Sequence, residues 1–105
     1  YFPCSPDDVE TLKEFGLTAG DRKNVHLSRT IPNAMEAGHV HIHRPVILEV
    51  DTVRAIADGH TIYRAGKTVF LTDEVPGEYL YQVEADDPLI LDIVAQWEQE
   101  EQEEE

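Results

Sequence analysis

The stretch LTAGDRKNVHLSRT, residues 17–30, contains the pattern that decides how this chain folds. At its centre Val25 and Leu27 alternate with His26 and Ser28, which is the period of two of a half-buried β-strand. The apolar pair should then face a core, and the polar pair should share the opposite face. Because that pair offers an imidazole and a hydroxyl, we expect His26 and Ser28 to form one wall of a cleft.

The segments around this strand predict an α+β domain with mainly antiparallel sheets. Upstream, SPDDVETLKEFG predicts a short helix that begins after Ser5 and ends at Gly16, with Phe15 facing inward. Downstream we expect a helix in TIPNAMEAG, a central strand in RPVILEVD and a capped helical turn in DTVRAIADG. A hairpin in HTIYRAGKTVFLTD and a strand in PGEYLYQVEA should follow. The last element is a helix in DPLILDIVAQWEQ, whose apolar face should bury Leu89, Ile90, Ile93, Val94 and Trp97. Strands interrupted by short helices are typical of the α+β class.

Length and charge limit what this chain can be. Its 105 residues suffice for one domain with a modest core, which we expect at 1–97, followed by an acidic tail at 98–105 that frays. Asp and Glu number 22 against 8 Lys and Arg, a net charge of −14. Such a surface repels itself and polyanions in dilute buffer, but molar salt shortens the Debye length to about 3 Å. The composition therefore indicates a salt-rich cytoplasm. The glutamates of the tail contribute a large share of this acid count, however.

Other classes of protein are disfavoured by what the sequence lacks. Cys4 is the only cysteine, so it cannot form an internal disulfide. Neither a run of about 20 apolar residues nor a signal peptide is visible, and we therefore expect a cytoplasmic location and no membrane contact. No glycine-rich dinucleotide fingerprint or phosphate loop occurs, so any nucleotide must be held by a different scaffold.

Three histidines, His39, His41 and His43, alternate just before the predicted central strand. On one strand face their spacing would be about 6.5–7 Å in successive steps, and neighbouring imidazoles can chelate a cation. However, Glu49 follows at a spacing that does not suit a histidine and carboxylate metal site, and His60 is the only later histidine. We expect no metal site and interpret the three as exposed histidines at a strand edge.

Motifs spread over most of the chain identify a family. LTAGDRKNVHLSRT, RPVILEVD and DGHTIYRAGKTVFLTDEVPGEYL, in this order from Tyr1 to about Leu80, resemble the C-terminal, NAD-binding half of the RNA 2′-phosphotransferase family. The resemblance implies an ADP-ribosyltransferase-like fold, in which two small packed sheets form a cleft for NAD. It also implies a substrate, tRNA or another RNA with an internal 2′-phosphate such as that left at a splice junction.

The reaction that the resemblance implies has two steps. The RNA phosphate attacks the nicotinamide riboside carbon and nicotinamide leaves; a neighbouring ribose hydroxyl then displaces the RNA. The products are 2′-hydroxyl RNA, ADP-ribose 1″,2″-cyclic phosphate and nicotinamide.

Two arginines receive roles from the resemblance. Arg22 falls where the family carries a catalytic arginine that binds the RNA phosphate, and a guanidinium can fork onto phosphate oxygens. Without the motif, a surface arginine that pairs with Asp21 or Glu14 would be the simpler interpretation. Arg44 lies where the family is basic and is a second candidate for the RNA phosphate. The neighbouring histidines would then replace arginines along a phosphate-bearing cleft.

Other positions correspond to cofactor contacts. By the resemblance, His26, Ser28 and Val69 bind NAD, although Val69 also suits a core strand. Where the family has His-Gly-Thr, this chain has Phe2-Pro3-Cys4. Phe2 can stack on a flat ring but cannot donate a hydrogen bond, and Cys4 either stands in for the threonine at the cofactor or is a small buried thiol.

Three hypotheses stay open at this point. The family's N-terminal RNA-phosphate-binding lobe is not in this sequence, so the chain would act with a separate lobe or as part of a longer enzyme. Alternatively, it is a module that binds NAD or ADP-ribose, or an ADP-ribosyltransferase with another acceptor. The third hypothesis is a histidine-rich metal-binding domain.

Overall fold

The computed structural model describes residues 1–20 and 22–103. The strands are β1 (Phe2–Cys4), β2 (Leu17–Thr18), β3 (Val25–Ser28), β4 (Val46–Val50), β5 (Tyr63–Arg64), β6 (Val69–Thr72), β7 (Glu74–Val75) and β8 (Leu80–Gln82). The helices are α1 (Val9–Phe15), α2 (Ile31–His39), α3 (Thr52–Ala57) and α4 (Pro88–Glu103), with 3₁₀ turns at Pro6–Asp8 and Gly77–Tyr79. Nowhere in these two ranges is a helix long and apolar enough to cross a membrane.

The strands form small antiparallel sheets, as the sequence predicts. One sheet has the order β1-β4-β8, a second has the order β3-β6-β5, and β2 pairs with β7 as a short ribbon. The Tyr1 nitrogen donates to the Ser28 carbonyl at 2.8 Å, and the Ser28 N–H donates to the Tyr1 carbonyl at 2.8 Å. These bonds hold the start of β1 against the end of β3. The β1-β4-β8 sheet and the β3-β6-β5 sheet therefore meet at this point.

The core has two parts, and β4 contributes to both. One part lies between the sheets and α1, and consists of Cys4, Val9, Leu17, Val25, Leu27, Leu48, Val50, Ala55, Val75, Tyr79 and Leu80. The other lies under the helices α2 and α4, and consists of Ile31, Ala34, Met35, Ile47, Ile90 and Val94. Successive residues of a strand point to opposite faces, so Leu48 packs in the first part of the core and Ile47 in the second. Both faces of β4 are therefore apolar.

Several predicted element boundaries are confirmed by hydrogen bonds at their ends, but the start of the first helix is not: residues 6–8 form a 3₁₀ turn, and Ser5 makes no side-chain cap. Gly16 ends α1 with φ +84°, and its N–H donates to the Leu12 carbonyl at 2.7 Å. Asp51 begins α3 by accepting a hydrogen bond from the Arg54 N–H at 3.1 Å. The hairpin turns at Ala65, whose N–H donates to the Val69 carbonyl at 2.9 Å.

Two expectations about the buried faces of helices are wrong. Phe15 is 72% exposed, because it lies six residues after buried Val9 and therefore about 240° around the helix. Leu89 is 51% exposed, since it lies about 120° from the centre of the face that Ile90 and Val94 bury. The helix α4 extends into the acidic stretch as far as Glu103.

Candidate functional site

A cavity of about 540 Å³ opens beside β3, on the side that carries its polar residues. All four residues of β3 border it; Val25 and Leu27 are buried beneath it, whereas the side chains of His26 and Ser28 are more exposed, as the alternation of residues 25–28 predicts. β6 adds Val69, which is the register partner of Ser28 in the antiparallel ladder. β1 adds Phe2 and Pro3. We call this space the cleft.

The ring of His26 is oriented by the turn that precedes β3. The ring atom Nδ1 of His26 lies 3.1 Å from the carbonyl oxygen of Asn24. A carbonyl only accepts hydrogen bonds, so Nδ1 must be the protonated nitrogen. In the neutral ring Nε2 is then an acceptor, which suits a ligand hydroxyl.

Arg22 brings a positive charge to the same cleft. The side chain is exposed, and the residue is anchored by a hydrogen bond of 3.0 Å from its N–H to the Ala19 carbonyl. Within residues 1–20 and 22–103, no carboxylate lies within ion-pair distance of it, Glu14 included; the alternative partner Asp21 lies outside the described residues. An exposed guanidinium in the lining of the cleft is suited to forking onto an anionic ligand.

Cys4 does not reach the cleft, although it follows Phe2 and Pro3 directly. The side chain is only 5% exposed and packs in the core with Val9 and Leu17. Burial, with a smaller contribution from the charge of Asp8, raises the pKa of the thiol from 9.0 to about 11. The thiol is protonated at neutral pH, and the buried alternative for Cys4 is the one that the structure favours.

The three histidines do not share a strand face, and that expectation is wrong. Helix α2 continues to His39, and His41 and His43 lie in the irregular segment before β4. The helix-forming run of residues 34–37 extends the helix, and Pro45 delays the strand. Among the residues that the structure describes, no three His, Cys, Asp or Glu side chains are placed to hold a metal ion.

Arg44 is separated from Arg22. Together with His39 and His43 it lines a second depression of about 150 Å³, whose other wall is α4 with Val94, Trp97, Glu98 and Glu101. The two arginines that were expected to bind one RNA phosphate therefore border different spaces.

One wall of the cleft is not predicted by the sequence pattern. Val40, His41 and Ile42 line it, next to Ala37 and Gly38 of α2. We assigned these positions to a strand leading into β4, whereas they belong to a helix end and a turn. Pro45, which suits only the start of a strand, was the signal that could have shown this.

The fold and the cleft define a class: a small α+β domain with a cleft that combines apolar walls with an arginine, two histidines and a serine. Comparison with known proteins gives the particular family. The model of the family described as RNA 2′-phosphotransferase, Tpt1 / KptA family, matches residues 1–74. This chain belongs to that family.

Individual relatives agree with the family match. The chain is 38% identical over 84 residues to a probable RNA 2′-phosphotransferase of Methanosarcina acetivorans, a match that covers 80% of this chain and 41% of the relative. It is 36% identical over 87 residues to that of Thermoplasma acidophilum (83% and 37%), and 41% identical over 76 residues to that of Burkholderia lata (72% and 39%). The chain thus spans about two fifths of the length of these relatives.

Proposed function

We propose that this chain is the NAD-binding, C-terminal part of an RNA 2′-phosphotransferase with an ADP-ribosyltransferase-like fold. The complete enzyme would remove the 2′-phosphate of spliced tRNA or another RNA, and release ADP-ribose 1″,2″-cyclic phosphate and nicotinamide. One observation carries the proposal: Arg22, His26, Ser28 and Val69, which the family resemblance selects, all line the same cleft.

The cleft suits NAD in size and in chemistry. Its volume of about 540 Å³ lies within the range of about 300–1,000 Å³ of small-molecule sites. The aromatic ring of Phe2 and the apolar side chains of Val40 and Val69 offer surfaces for flat rings. His26 and Ser28 offer an acceptor and a hydroxyl for ribose or phosphate groups.

Each polar residue then has a defined task. When bound, NAD supplies the ribose carbon that accepts the RNA phosphate. Arg22 would hold that phosphate through paired N–H groups and stabilise its charge while its bonds change. His26 would accept a hydrogen bond from a ribose hydroxyl and keep the ring in place.

A second candidate function is a module that binds NAD or ADP-ribose, or that modifies another acceptor. It is favoured by Phe2 and Pro3, which line the cleft where the family has histidine and glycine. It is also favoured by the net charge of −14, which opposes contact with RNA unless a separate N-terminal lobe provides a basic surface.

The acidic composition further supports a salt-rich cytoplasm as the place where this protein works. Crowded carboxylates are tolerated when the ionic strength is high enough to screen them. Binding experiments therefore belong in molar potassium chloride.

The test is calorimetric titration with NAD and with ADP-ribose, on the wild type, on His26→Ala and on His60→Ala. His60 is the matched control, because it contacts Tyr79 and does not line the cleft. We expect binding of the wild type and of His60→Ala, and an affinity at least tenfold lower for His26→Ala. If neither nucleotide binds the wild type, the proposal is wrong.

The two candidate functions separate in a second assay. An RNA with an internal 2′-phosphate is incubated with NAD, this chain and the N-terminal lobe of a relative, and phosphate removal is measured. Loss of phosphate that depends on Arg22 supports the phosphotransferase, with Arg22→Ala as the test variant. Nucleotide binding without phosphate removal supports the second candidate.

A further inference from the structure

The last residue of α2 and the chain that leads from it to β4 face two separate spaces. Val40, His41 and Ile42 line the cleft, whereas His39, His43 and Arg44 line the depression beside α4. We call residues 39–44 the wall segment. The wall segment is one short, continuous piece of backbone. A contact that fixes its residues on the α4 side therefore also restricts the positions of its residues on the cleft side.

On the α4 side the contact is specific. The ring of His39 stacks on the indole of Trp97 with 3.7 Å between centroids and 8° between planes. Nδ1 of the same His39 ring lies 3.1 Å from the carbonyl oxygen of His43, to which it donates. Trp97 therefore orients a ring that ties the two ends of the wall segment together.

On the cleft side the wall segment has little else to hold it. Val40 is 75% exposed, and His41 is exposed as well. The N–H groups of His41 and Ile42 both donate to the Gly38 carbonyl, at 3.1 and 2.8 Å. A short irregular segment with few buried side chains opens easily unless a packed neighbour fixes it.

We infer that α4 fixes the cleft wall, with Trp97 and His39 as positioning residues for the ligand of the cleft. α4 lies beyond residues 1–74, so this is a property of the present chain rather than of the matched family segment. The identity of the ligand rests on the proposed function, whereas the effect of α4 on the wall segment does not.

The first test needs no ligand. Amide hydrogen exchange is measured for His41 and Ile42 in Trp97→Ala, with the amide of Leu27 in β3 as an internal reference. We expect exchange at the two wall amides to rise at least tenfold relative to the reference. The inference is overturned if the exchange rates of the two wall amides stay unchanged. It is also overturned if they rise only as much as the exchange rate of Leu27.

Further variants distinguish positioning from general damage. Leu91→Ala removes a half-exposed leucine of the same helix and should leave the wall amides as in the wild type. Trp97→Phe keeps an aromatic ring for the stack and should restore most of the protection. If Trp97→Ala does not fold, His39→Ala breaks the same stack and takes its place.

The second test links the wall to binding. In titrations with ADP-ribose we expect Trp97→Ala to bind about tenfold more weakly than the wild type or Leu91→Ala, although Trp97 does not line the cleft. Faster exchange of the wall with unchanged affinity would overturn the link to the ligand. If the wild type itself does not bind, the proposed function fails, and the exchange experiment still decides whether α4 fixes the wall.

Discussion

At the residue scale, the cleft depends on a few side chains whose chemistry can be changed one at a time. Phe2 is the most informative, because it lines the cleft with an aromatic ring at the position where the resemblance implies a histidine. A phenyl ring can stack on the nucleotide but offers no hydrogen bond. If the cleft binds NAD as proposed, this position should limit the affinity.

We predict that Phe2→His increases the affinity for NAD about three- to tenfold, the effect of one added hydrogen bond. Phe2→Leu removes the flat ring without adding a polar group and should weaken binding. Calorimetric dissociation constants of both variants check this. Unchanged or weaker binding by Phe2→His would show that this site does not use the polar contact.

Cys4 gives a prediction about pH. Burial raises the pKa of its thiol from 9.0 to about 11. Between these pH values the unfolded chain has lost a proton that the folded chain keeps, so the free energy of unfolding must fall as the pH rises. Tyr79 adds the same trend at higher pH, since the hydrogen bond that it donates to Asp58 raises the pKa of its phenol to about 12.

The measurement is urea denaturation at a series of pH values from 8 to 11. We expect Cys4→Ala to be less stable than the wild type at pH 8, but to lose less stability over this range. The readout is the slope of the free energy of unfolding against pH. The stability at one pH is not suitable, because the alanine also leaves a small cavity that lowers it. Equal slopes would mean that the thiol does not titrate as its burial requires.

At the element scale, α2 is placed by a close approach that only glycine permits. A Cβ on Gly38 would lie 2.6 Å from Cβ of Pro3 and 3.0 Å from Cβ of Pro45. Both neighbours are proline rings, which cannot rotate away. The helix end therefore lies directly on β1, and this brings Gly38 into the lining of the cleft.

We predict that Gly38→Ala lowers the free energy of unfolding by about 1–3 kcal/mol, the cost of forcing extra atoms into a packed site. Gly66→Ala is the matched control, because nothing lies within 4 Å of its added Cβ, and its effect should stay within about 0.5 kcal/mol. Urea midpoints in molar potassium chloride measure both. Equal midpoints for the two variants would contradict the packing argument.

At the scale of the whole molecule, the net charge of −14 dominates. Mutual repulsion of the carboxylates destabilises the compact state, and salt screens it. We predict that the melting temperature rises markedly between 0.1 and 2 M potassium chloride, the order of concentration at which the Debye length becomes a few ångströms. Thermal melts at a series of potassium chloride concentrations and one pH measure this rise.

A variant with Gln in place of Glu100, Glu103, Glu104 and Glu105 should show a smaller dependence on salt. It leaves Glu98 and Glu101, which line the depression beside α4, unchanged. If the variant and the wild type respond to salt equally, repulsion from the acidic end is not what salt relieves.

The sequence by itself determined most of the local structure. Caps such as Asp51 and Gly16 act within a few residues, so helix limits could be predicted from neighbours along the chain. The alternation of residues 25–28 fixed which side of β3 is polar, and thereby identified His26 and Ser28. The shared motifs were sufficient to identify the family.

Only the tertiary structure decided which of the selected residues meet. Cys4 is buried and Arg44 faces α4, because such placements depend on strand pairing and helix packing between residues far apart in the chain. The three histidines were misassigned for the same reason, since helix α2 and Pro45 competed with the strand pattern. Packing against α4 then divided the wall segment between two spaces, an arrangement that no local pattern encodes.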